Sequence, residues 1–135
     1  MDGKLNKVSD MIFMDLLPPG SELVKEMNMT HVTLSLDFEN ANAVRKKAYK
    51  FLAEKEWVKL DSVDTVWAIE YPELNYKIPE NVRKIHYDIA KTLKQCAKDL
   101  EIERINYIIQ VGDRGAFQRQ VTCKYGVAEE KAYVK

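Results

Sequence analysis

From His31 to Phe38 apolar and polar residues alternate. Val32, Leu34, Leu36 and Phe38 fall on one side, His31, Thr33, Ser35 and Asp37 on the other. Successive side chains of a strand point to opposite faces, so this stretch predicts a half-buried strand with one polar stripe. Glu39-Asn40 ends it. Ala41, Val44, Ala48, Phe51 and Leu52 then recur at three- and four-residue steps. That spacing predicts an amphipathic helix to about Glu56, with Lys46, Lys47 and Lys50 mostly off the apolar stripe. Residues 57–71 read as two strands joined near Asp61-Ser62-Val63-Asp64. The second alternates Thr65, Trp67, Ile69 and Tyr71 against Val66, Ala68 and Glu70. Pro79 suits the first turn of a helix over about 80–100, whose stripe is Val82, Ile85, Ile89, Leu93, Cys96 and Leu100. A last strand over about 104–111 places Ile105, Tyr107, Ile109 and Val111 on one face, and residues 112–115 end it. A short strand over 120–124 is expected at an edge.

Strand, helix, strand, strand, helix, strand is the order of a ferredoxin-like α+β sandwich. Both helices are expected over the Val32-Leu34-Leu36-Phe38 row, leaving the His31-Thr33-Ser35-Asp37 stripe on an open face. Residues 29–126 are assigned to this domain and 127–135 to a C-terminal tail. Residues 1–28 are assigned to a helical arm. In it Leu5, Val8, Met11, Ile12 and Leu16 share roughly one helical face, Pro18-Pro19-Gly20 forces a turn, and Ser21 can cap a second short helix.

The chain has 135 residues, and Lys plus Arg equals Asp plus Glu at 21 each. The strongly basic balance of a protein that coats nucleic acid is therefore absent, although local patches remain open. Cys96 and Cys123, far apart in sequence, read as free thiols in a reducing compartment. Neither a signal peptide nor a run of ~20 apolar residues is visible, so the expected setting is soluble and cytoplasmic, with no membrane contact.

Candidate chemistry concentrates on the polar stripe. Asp37 stands near the end of the first strand, where a carboxylate caps the following helix or holds a divalent metal; Asp is a favoured N-cap, and Asn40 competes for that role. Glu39 offers a second oxygen. His31 and Thr33 share a face and can hold a phosphate and move a proton; a polar pair on a half-exposed strand is the plainer reading. His86 reads as a boundary residue of its helix. Arg45, Lys46, Lys47 and Lys50 on the first helix, and Arg114, Arg119 and Lys124 near the C-terminus, form two basic groups. Trp57, Trp67, Tyr71 and Tyr76 either stack bases or belong to the core.

The run Leu34-Ser35-Leu36-Asp37-Phe38, the basic helix Val44 to Leu52 and Thr65-Val66-Trp67-Ala68-Ile69 resemble the small ferredoxin-like CRISPR-associated proteins of spacer acquisition. They are also similar to virulence-associated ribonuclease toxins of the same fold. The resemblance covers about residues 30–111. It implies a dimer and a nuclease or nucleic-acid-binding role with Asp37 as the metal-facing carboxylate. His31-Val32-Thr33-Leu34 also looks like one motif of the two-histidine phosphoesterases, whose second motif finds only Asn106-Tyr107-Ile108 here.

Three functional expectations follow. The first is a self-associating protein that binds nucleic acid or a nucleotide, with Ser35, Arg45, Lys46, Lys50 and Arg114 as ligand contacts and no cofactor. The second is a non-catalytic regulator that docks on another protein, such as a phage or mobile-element product, using the arm and the aromatics of residues 72–78. The third is a phosphodiesterase or nuclease using Asp37 with a divalent metal, or His31 with Thr33.

Overall fold

The computed structural model describes residues 29–63 and 65–133. The arm expected over 1–28 lies outside them. The elements are β1 (Thr30–Glu39), a 3-10 turn (Asn42–Val44), α1 (Arg45–Glu54), β2 (Val58–Lys59), β3 (Val66–Tyr71), α2 (Pro79–Leu100), β4 (Arg104–Val111), β5 (Phe117–Lys124) and β6 (Val127–Ala132). They form an α+β structure: a six-stranded antiparallel sheet in the order β2-β3-β1-β4-β5-β6, with two α-helices.

Both helices cover the same sheet face. Val32, Leu34, Leu36 and Phe38 of β1 are buried together with Trp67 and Ile69 of β3 and Ile105, Tyr107, Ile109 and Val111 of β4. Ala48 and Leu52 of α1, and Ile85, Ile89, Leu93 and Cys96 of α2, close on that row. Tyr49 fixes α1 over the sheet, its ring 6.2 Å from Phe38 and edge-on to Trp67 at 5.6 Å. Opposite this core, His31, Thr33 and Asp37 are exposed and Ser35 is half-buried, as the alternation predicts.

Three local expectations are corrected. β1 does not stop before Glu39; it runs through it, and Asn40 makes the turn at φ +54, a left-handed conformation that Asn tolerates. Asp37 is therefore paired inside the sheet opposite Asn106 and does not cap α1, whose N-terminus has no side-chain cap. Residues 127–132, expected in a tail, form β6. The turn that joins it to β5 is Tyr125-Gly126, both at positive φ, which suits the twist of a two-residue hairpin. The loop over 72–78 does not hold its aromatic free for docking: Tyr76, its one aromatic, packs against the core with Leu74. Thr30 holds that loop, its buried hydroxyl donating to the Leu74 carbonyl and accepting from the Tyr76 N–H.

Candidate functional site

The open face is built from every second residue of the strands. β1 contributes His31, Thr33, Ser35, Asp37 and Glu39; β4, paired to it, contributes Gln110, Ile108, Asn106 and Arg104 in register. An open groove of about 320 Å³ lies at the Asp37 end, lined by Ser35, Asp37, Thr65, Asn106, Ile108, Gln118 and Tyr133. Beside it, and sharing Asn106 with it, a hydrogen-bonded chain runs across three strands. Arg104 Nη1 and Asn106 Nδ2 donate to the two oxygens of Glu39, at 3.1 and 3.0 Å, and Gln120 Nε2 donates to Asn106 Oδ1 at 2.7 Å. These bonds occupy Glu39, which was the expected second oxygen beside Asp37. Ser35 Oγ donates to Thr65 Oγ1 at 3.2 Å. Among the described residues, no group of three or more His, Cys, Asp or Glu side chains is placed to hold a metal ion.

The stripe is one face but not one site. His31 lies six residues from Asp37 along the same strand, a span of roughly 20 Å, and its Nδ1 is 3.8 Å from Glu70 Oε1 on β3. Thr33 lies between them. Arg114 sits beyond the His31 end, on the turn after β4, where its Nε donates to the Tyr76 carbonyl at 3.4 Å. The two histidines are on opposite sides of the sheet. His86 packs edge-on against Phe117 at 5.8 Å, and Phe117 is the register neighbour of the core residue Ile109. Burial, with the Arg119 charge, holds the His86 pKa below its ordinary value of 6.5.

The basic residues segregate to the other layer. α1 carries Arg45, Lys46, Lys47 and Lys50 against one acid, Glu54, and α2 carries Arg83, Lys84, Lys91, Lys94 and Lys98 against Glu80, Asp88 and Asp99. Lys46, Lys47 and Lys50 are exposed, whereas Arg45 is half-buried and donates to Asn42 Oδ1 at 3.1 Å. In a chain of zero formal net charge, this makes the helical layer cationic. The C-terminal basic group does not assemble. Arg114 and Lys124 flank opposite ends of β5, and Arg119 points to the helix side, where Glu130 takes it. Trp57 and Trp67 are buried in the core and offer no face for stacking bases; Tyr71 is half-buried against the core, its hydroxyl donating to Asp88 at 2.6 Å. Both cysteines are free; Cys96 is buried, and that burial pushes its thiol up to about 12.

Asn106, Gln118 and Tyr133 were missed as groove residues, and Arg104 and Gln120 as members of the hydrogen-bonded chain beside them. The alternation of β4 marks the face of Asn106 but not its partners, which come from strands distant in sequence. No helix among the described residues is long and apolar enough to cross a membrane. No family model matches this chain, and neither a curated protein nor a solved structure is found to be similar to it.

Proposed function

We propose that this chain is a small, self-associating nucleic-acid-binding protein. Its β1-α1-β2-β3-α2-β4 unit is a ferredoxin-like sandwich, extended by the β5–β6 hairpin. The neighbour order β2-β3-β1-β4, antiparallel throughout, supports the fold reading. The observation that carries the function is the concentration of Lys and Arg on the helical layer of a chain without net charge. Phosphates are neutralised by such a surface whatever the base sequence, with release of counterions. Lys46, Lys47 and Lys50 are the first contacts on this reading. Titration of the whole chain with single-stranded and duplex RNA and DNA tests it. Binding at low micromolar protein that weakens steeply with salt is expected, and no binding at low salt overturns the reading.

A second reading has its own observation. Val58, Leu60 and Ile108 are 59, 41 and 41% exposed, and all three lie on the open face. A regulator that docks on another protein would use these exposed apolar positions, Val58 and Leu60 at the β2 edge and Ile108 on β4. A stoichiometric partner recovered through the open face, and lost in an Ile108→Lys variant, would favour it. The hydrolytic reading rests on Asp37 with a divalent metal. Asp37→Asn abolishes metal-dependent cleavage if that reading holds.

A further inference from the structure

We infer that β6 is a self-complementary edge through which two copies of this chain join their sheets. The inference rests on the self-association proposed above and assigns it a surface. β6 ends the sheet, with β5 as its one strand neighbour among the described residues. The Tyr133 N–H donates to the Gln118 carbonyl of β5. Antiparallel ladders alternate, so the backbone groups of Lys131, Glu129 and Val127 also turn inward to β5, and those of Ala128, Glu130 and Ala132 turn outward. The outer edge is a row of donors and acceptors spaced to receive another strand.

A second β6 running antiparallel bonds only where outward residues oppose outward residues. Three symmetric registers then keep most of the strand paired, centred on Glu129, Glu130 or Lys131. The first sets Glu129 against Glu129 of the second copy, and the third sets Lys131 against its own counterpart. Like charges directly opposite one another are destabilising. The middle register instead sets Glu129 against Lys131 of the second copy, and by symmetry does so twice. Those pairs fall at the non-hydrogen-bonded positions, where facing side chains come closest. In the same register Val127 faces Tyr133 on the open side, and Ala128 faces Ala132 on the helix side. Glu130 meets its own counterpart, but each Glu130 is already neutralised by Arg119 of its own chain. The charges that repel an unrelated strand therefore select this one register and this one partner.

Sedimentation velocity on the full chain tests the inference, with circular dichroism as the check on folding. Glu129 and Lys131 are both exposed, so their reversal leaves the fold intact. Glu129→Lys alone and Lys131→Glu alone each weaken the dimer roughly tenfold or more, by turning two attractions into two repulsions. The combined variant restores the wild-type dimer, because each pair re-forms with its signs exchanged. Ala128→Pro removes an outward N–H and spares the β5 ladder, so it abolishes the dimer of a folded chain. A wild-type dimer that ignores the single reversals, or a combined variant that stays weak, overturns the β6 edge and leaves self-association standing. A wild-type chain that remains monomeric at submillimolar concentration overturns both.

Discussion

Arg119 of β5 grips Glu130 of β6 through two parallel charge-assisted hydrogen bonds, Nε to Oε2 at 2.7 Å and Nη2 to Oε1 at 2.6 Å. The side chains are 33 and 15% exposed, so this fork lies partly under α2 and ties the last strand to the sheet. Removing one charge leaves the other partly desolvated and unpaired. Glu130→Gln is expected to lower unfolding stability by about 1–2 kcal/mol in urea titration. The Arg83–Glu80 pair on the outside of α2 is a contrasting case, with both side chains well exposed. Arg83→Gln is expected to leave the urea midpoint unchanged.

Thr30 anchors a loop far away in sequence. Its buried hydroxyl serves the Leu74 carbonyl and the Tyr76 N–H, and both bonds are partly withdrawn from water. Thr30→Val keeps the shape and strands both backbone groups, at a cost of about 1–3 kcal/mol, whereas Thr30→Ser retains the hydroxyl and most of the stability. Thermal unfolding of the two variants side by side checks this.

Gly112 meets the same loop from the other side. Its φ is +58, and an added Cβ would stand 2.6 Å from Tyr76 Cδ1. Gly112→Ala is therefore both strained in its backbone and blocked by a ring held in place. A loss of about 2–4 kcal/mol is expected by urea unfolding.

His86 makes stability depend on pH. Burial and Arg119 hold its folded pKa below 6.5, with Arg114 adding to the effect and Glu130 opposing it. The unfolded chain thus binds its proton first as pH falls. The contribution of the neutral ring is complete above the ordinary value of 6.5 and is lost progressively as pH drops below it. His86→Gln should flatten that portion of the melting-temperature profile relative to wild type. Identical slopes in the two proteins would show that the imidazole plays no part.

The layered layout was legible because β1 has a strict two-residue period and α2 a long stripe at helical spacing. Both patterns state which side is dry. The capping role of Asp37 was misread because strand length is set by pairing: β4 reaches to Arg104 opposite Glu39, and no local signal around Glu39-Asn40 discloses that. β6 was hidden by composition. Glu129, Glu130 and Lys131 read as a solvated tail, and a Tyr-Gly turn is a weaker hairpin signal than Asn-Gly. Arg119 supplies what the local sequence lacks, a partner that makes Glu130 tolerable on the covered face. The groove at Asp37 was legible only in β1, because its other walls come from strands separated by up to a hundred residues. Segregation of charge between the layers needed the knowledge that α1 and α2 lie side by side.

The claim that the helical layer is the nucleic-acid surface is tested most directly by amide chemical-shift mapping of the full chain during titration with an oligonucleotide at low salt. Shifts confined to the outward turns of α1 and α2, and abolished by combined Lys46→Glu, Lys47→Glu and Lys50→Glu, are predicted. Shifts centred on His31 to Asp37 with both helices silent would contradict it.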